Sequence, residues 1–265
     1  MKEKLFVTIN SAVIYVIAFL ITTIIHELSH AFVGMINDSG PVLHHNFVEH
    51  TTIANLSIPQ RVSISLSGPV ASLLQGLLVG LIYLKVQKKT LFQLFLLWFS
   101  VLGFTNFFGY LMTGPFFQAG DIGKVYQLLH CPLYFQIIVA VLGMLILSFL
   151  AYKLTLPFLQ FSYKQKWVDT PKSRTDFSLN IIILPWIIGS TIVTTLYLPV
   201  VAIVSIIYPI SSGMIFIFPW QNARRIENIS LSNNTKTGEP SVFLYFLLAV
   251  LIIVFKFVLA PGINI

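Results

Sequence analysis

His26-Glu27-Leu28-Ser29-His30 sets two imidazoles four residues apart, with a carboxylate directly after the first. On an α-helix, residues i and i+4 lie one above the other, so both rings can reach a single zinc ion at about 2.0–2.1 Å. Zinc lowers the pKa of a bound water toward ~7, and Glu27 is placed to take that water's proton as general base and later deliver it to a leaving amine. The chemistry that such a set performs is hydrolysis. Apolar residues flank the motif on both sides, which is the pattern of one continuous helix.

Two imidazoles leave the metal one ligand short, because catalytic zinc sites have three protein ligands. Cys131 is the only cysteine, so the third donor must be a carboxylate or another histidine. Asp121, in Gly120-Asp121-Ile122-Gly123-Lys124-Val125, is the leading candidate. It opens a short helical stretch, and the flanking glycines let the backbone approach a metal or a substrate. A helix N-cap is the plain alternative for such an aspartate. His44, His45 and His50 in the loop after the motif helix, and His130 further on, are the competing ligands.

The elements that must hold these residues lie in lipid. Apolar residues make up 56% of the 265 and charged ones only 9%, against about 25% charged in a soluble domain. Apolar stretches near or above the ~20 residues needed to cross a bilayer recur from end to end. The fold class is all-α, a polytopic transmembrane helical bundle, with spans expected at about residues 5–36, 63–84, 91–115, 133–158, 177–199, 200–219 and 242–260. The run after Lys4 is too long for a signal peptide and lacks a small-residue cleavage pattern, so it reads as the first span. Phe177 to Pro219, interrupted by Pro185, Pro199 and Pro209, is long enough for two crossings or one kinked one, giving six or seven spans in total. Seven is favoured. With that count and a cytoplasmic N-terminus, the loop lysines and arginines from Lys2 to Lys236 fall inside, Arg61 and Lys124 excepted. The +7 net charge is therefore an orientation signal, and no nucleic-acid partner is implied.

Three features in order, the H-E-x-x-H of His26 to His30 within a span, Ser67-Gly68-Pro69-Val70-Ala71-Ser72 early in the next, and Asp121-Ile122-Gly123, resemble the site-2 protease family of intramembrane zinc metalloproteases. The likeness covers roughly residues 5–130. It implies hydrolysis of peptide bonds in membrane-spanning or membrane-tethered protein substrates, with His26, His30 and Asp121 as ligands to one zinc ion and Glu27 as the catalytic base. Residues 1–130 are then the catalytic core and 131–265 accessory helices. The chain also departs from the family: Ser72 stands where an Asn is usual, Ile122 interrupts the usual Asp-Gly pair, and Asn106 and Pro115 sit at altered spacing from the aspartate. Gly68-Pro69 reads equally as a small-residue packing site with a proline near a helix start. A membrane protein that binds zinc without catalysis, a sensor or inactive relative, is the alternative. A transporter with an intramembrane ion path ranks last, since i, i+4 histidines suit a ligand set better than a relay. A cytoplasmic N-terminus puts His26 and His30 in the extracytoplasmic half, whereas the resemblance implies a metal nearer the cytoplasm.

Overall fold

The computed structural model describes residues 2–86, 88–198, 204–227, 229–231 and 237–265. Lys2–Ile36, a 35-residue run with no proline, forms α1. At about 1.5 Å per residue it is ~52 Å long and exceeds the ~30 Å hydrocarbon core. Two of its hydroxyl side chains bond to their own helix, Thr22 Oγ1 donating to Ala18 O and Ser29 Oγ to Ile25 O, both at 2.8 Å. Such back-bonding lets polar residues sit in lipid. Val16, Ile17, Ala18 and Leu20 are fully buried, as expected of a helix surrounded by neighbours.

Beyond α1, β1 (Pro41–Leu43) pairs antiparallel with β2 (Val48–His50). α2 (Ile58–Lys85) starts on a capping box in which the Ser57 N–H donates to Gln60 Oε1 at 3.0 Å. α3 (Leu91–Thr113) starts on Thr90, whose hydroxyl accepts from the Gln93 N–H. α4 (Asp121–Leu128) is short and is followed by α5 (Leu133–Leu159) and α6 (Pro171–Leu196). A π-turn at Leu179–Ile183 precedes Pro185 in α6, a local widening that accommodates the missing proline N–H. α7 (Val204–Ser211), a 3₁₀ turn (Ser212–Phe216), α8 (Ile217–Asn222) and α9 (Val242–Leu259) follow. The terminal β3 (Ile263–Asn264) joins the free edge of β1, giving the sheet order β2-β1-β3. The C-terminus is thereby tied to the motif end of α1.

Among the described residues six helices, α1, α2, α3, α5, α6 and α9, are long and apolar enough to cross a membrane. Their outward side chains, among them Leu78, Leu81, Leu142, Leu145 and Phe149, are exposed and apolar, the inverse of a water-facing surface. The described residues after Val204 run back along α6 without a long helix. The end of α6 lies at the motif end of the bundle, where the Thr23 and Tyr197 hydroxyls are 3.0 Å apart. By Arg224 the chain is back at the start of α6, and Arg174 Nη2 donates to Arg224 O at 3.5 Å. Between these points it runs antiparallel to α6, with Ser190 Oγ donating to Pro209 O at 2.6 Å and Trp186 Nε1 to Ile210 O at 3.2 Å. Proline 209 and the 3₁₀ turn break this pass into pieces. The expected span 200–219 falls partly on residues 199–203, which lie outside the described residues, as does Lys236, and its described part from Val204 is a broken run beside α6.

Candidate metal centre

The spacing on α1 brings the buried rings of His26 and His30 to one face, centroids 4.8 Å apart. α4 comes in from the loop after α3 with its first turn toward them. Gly120 is its N-cap and Asp121 its first helical residue, so the aspartate does not cap the helix. Its carboxylate instead reaches across to the two imidazoles, with the positive end of the helix dipole behind it. Gly123 lets this happen: a Cβ there would strike the Phe117 carbonyl and lie 2.8 Å from Gln118 Cα. The preceding loop folds back over α4 only at a glycine.

Three donor atoms converge. His26 Nε2 lies 2.9 Å and His30 Nε2 3.2 Å from Asp121 Oδ2, and the two Nε2 atoms are 3.1 Å apart. Ligands bound to zinc at about 2.0–2.1 Å in tetrahedral array are separated by ~3.3 Å, so this near-equilateral triangle has the dimensions of three corners of such a site. The other ring nitrogens are already committed. His30 Nδ1 donates to Ile64 O at 2.7 Å. His26 Nδ1 donates to Ser72 Oγ at 3.2 Å, and that hydroxyl donates onward to Gly68 O at 3.1 Å. With both protons held on Nδ1, both Nε2 lone pairs are left free to face Asp121, the arrangement that second-layer hydrogen bonds impose on metal-binding histidines. Burial alone would raise the Asp121 carboxyl, but when the rings are instead protonated on Nε2 the His30 and His26 imidazoliums outweigh it and hold the group well below the usual carboxylate range. His26, His30 and Asp121 form a buried group that could hold a metal ion.

α2 forms the wall behind this group. A Cβ on Gly68 would stand 2.6 Å from His26 Nε2 and closer still to His30 Nε2. The two readings of Gly68-Pro69 therefore merge, since the packing partner of this small residue is the imidazole pair itself. Ser72, the departure from the resembled family, supplies the partner of His26.

The buried Glu27 carboxylate opens on a cavity of about 120 Å³, also lined by Thr23, Asn46, Asn106, Tyr110, Tyr197 and Tyr208. That is room for water beside the donor triangle. Asn46 Oδ1 and Asn106 Oδ1 are buried there without a hydrogen-bond partner among the described residues, while Asn106 Nδ2 donates to the Tyr208 hydroxyl at 2.8 Å. Tyr110 stacks on His26, centroids 5.1 Å apart and planes 11° apart. Sequence reasoning did not single out Asn46, Tyr110, Tyr197 or Tyr208. The available signal was a polar or phenolic side chain inside or next to an apolar run, where it needs a partner.

The competing histidines are elsewhere. His44 stacks on Phe47 and its Nδ1 donates to Ala260 O at 3.3 Å. His45 is buried edge-on against Phe255, His50 Nδ1 is 2.7 Å from Ser39 Oγ, and His130 is exposed just past the end of α4. None of them joins the metal-binding group among the described residues. Comparison with protein-family models, with characterised proteins and with solved structures finds no match.

Proposed function

We propose that this protein is a zinc-dependent intramembrane metalloprotease that hydrolyses peptide bonds of membrane-spanning or membrane-tethered proteins, similar in plan to the site-2 proteases. The observation that carries the reading is the convergence of two imidazole Nε2 atoms and one carboxylate oxygen at zinc-ligand spacing, with Glu27 beside them on a cavity. Zinc, held by His26, His30 and Asp121, would polarise the scissile carbonyl and lower the pKa of a water. Glu27 takes the proton of the attacking water and returns it to the leaving amine nitrogen. Asn46 and Asn106 offer carbonyl acceptors to backbone N–H groups of an unwound substrate. Unwinding is required because every carbonyl in a membrane helix is already hydrogen-bonded and covered.

The lysine and arginine pattern supports a cytoplasmic N-terminal end of the bundle. Arg224 and Arg225, which return to the start of α6, belong to that same end. The metal centre is then in the half of the membrane away from the cytoplasm. The decisive experiment pairs zinc content with cleavage of a labelled single-span substrate in wild type and Glu27→Gln. Zinc retained in both with cleavage lost only in the variant supports the reading. Equal cleavage by both would remove Glu27 as base, and zinc without cleavage in the wild type would make the chain a zinc-binding membrane protein only.

A further inference from the structure

We infer that Tyr110 is a catalytic residue whose phenol donates a hydrogen bond to the scissile carbonyl oxygen as that atom becomes an oxyanion. This deepens the hydrolase reading above and rests on it. The parallel stack on His26 anchors the Tyr110 ring to one of the metal-binding residues. From there it borders the same cavity as Glu27, and Asp121 and Glu27 are the charged groups whose fields act on its hydroxyl.

Elimination supports the assignment. Of the other hydroxyls around the cavity, Thr113 Oγ1 donates to Gly109 O at 2.9 Å, Thr23 and Tyr197 bond each other at 3.0 Å, and Ser211 Oγ donates to Tyr208 O at 3.4 Å. Tyr208 accepts from Asn106 and stands behind Tyr110, ring centroids 6.3 Å apart. The hydroxyl of Tyr110 has no hydrogen-bond partner among the described residues. Tyr110 is half-buried and lines the cavity, where its O–H can meet a ligand oxygen. The two orphaned carboxamide oxygens, on Asn46 and Asn106, are acceptors and cannot serve an oxyanion. Tyr208 and one of the Thr23–Tyr197 pair also keep a proton to give, and what distinguishes Tyr110 is that its ring is the one stacked on a metal-binding residue.

The step balances. The water oxygen bonds to the carbonyl carbon as its proton passes to Glu27, and the carbonyl π electrons move to oxygen, where the charge accepts from the Tyr110 O–H. Collapse re-forms the C=O bond and breaks the C–N bond, and Glu27 gives the proton to the departing nitrogen. Tyr110 keeps its own proton throughout.

Tyr110→Phe tests this, because it keeps the stack and removes the donor. Loss of one oxyanion donor predicts a fall of about 10²–10³-fold in kcat with KM nearly unchanged. Zinc content should stay at the wild-type level. Affinity for a phosphonamidate peptide, a tetrahedral anion that is bound but not cleaved, should fall alongside kcat. The proposal is overturned if the variant keeps kcat and phosphonamidate affinity within about twofold of wild type, or if it loses zinc, since the ring would then merely position His26. Should the wild type bind zinc but cleave nothing, the hydrolase reading fails and the phosphonamidate arm decides Tyr110. Weaker binding by the variant then supports the donor, whereas equal binding, or none by the wild type, overturns it.

Discussion

Gly68→Ala adds one methyl group to α2, and the structure predicts that this abolishes metal binding. The new Cβ would lie 2.6 Å from His26 Nε2 and 2.8 Å from His26 Cδ2, and nearer still to His30 Nε2. Relaxed contacts between such atoms are about 3.5–4.0 Å, so both imidazoles, or the α2 backbone, must retreat by at least roughly 0.9 Å. Zinc sites tolerate about ±0.2 Å in ligand distance, several times less than that displacement. Retreat of α2 gives no escape, because Ile64 O and Ser72 Oγ, which orient the two rings, move with it. Disturbing only the outer partners of metal ligands costs about 10–100-fold in affinity, and displacement of the ligands themselves should cost at least the upper end of that range. The assay is zinc competition against a chromophoric chelator at fixed pH. Gly109→Ala on α3 is the control, since its added methyl meets only Tyr208 Cε2, at 3.9 Å. Helix propensity works in the opposite direction, as Ala is favoured over Gly by about 1 kcal/mol in a helix interior. Gly68→Ala should therefore lose zinc without losing helical content. Wild-type zinc affinity in that variant would refute the placement of α2 against the imidazoles.

Two other measurements probe the surroundings of the site. Ser72→Ala removes the acceptor of the His26 Nδ1 proton and should weaken zinc binding by about 10–100-fold with little change in thermal stability; unchanged affinity would deny Ser72 its orienting role. His45, which sits outside the spans, is lowered from 6.5 to about 4, chiefly by burial and then by Lys256 and His44. The unfolded chain thus binds more protons in that interval, so the stability His45 contributes is complete above about pH 6.5 and erodes as pH falls toward 4. His50, lowered to about 4 by burial, His30 and Lys124, acts in the same window. His45→Phe, which keeps the edge-on packing against Phe255 at 4.9 Å, should flatten the acid side of the melting-temperature profile in part, leaving the share of His50. An unaltered profile would mean that His45 is not held neutral in the fold.

The sequence by itself determined the motif helix and its chemistry. His26, Glu27 and His30 are local: four residues on a proline-free apolar run fix both the helix and the shared face, because the 3.6-residue period leaves no freedom. The lipid environment was legible for a similar reason, since an excess of apolar residues is a property of composition and needs no contacts. Asp121 was reached through the metal's demand for a third ligand and through the resemblance carried by Asp121-Ile122-Gly123, not through local geometry. Its choice over the histidines of the first loop was decided by tertiary structure, because a separation of 95 residues closes only when Gly68 admits α2 against the rings and Gly123 admits the loop against α4. The number of passes was open in the sequence for the same kind of reason. The stretch around Pro209 is apolar enough for a crossing, but its breaks and its direction are fixed by hydrogen bonds to α6 that no local pattern encodes. The tyrosines and asparagines of the cavity come from four separate stretches of chain. Each one alone is an ordinary polar residue near apolar neighbours, and only the packing of α3, α6 and α7 beside α1 turns them into one site.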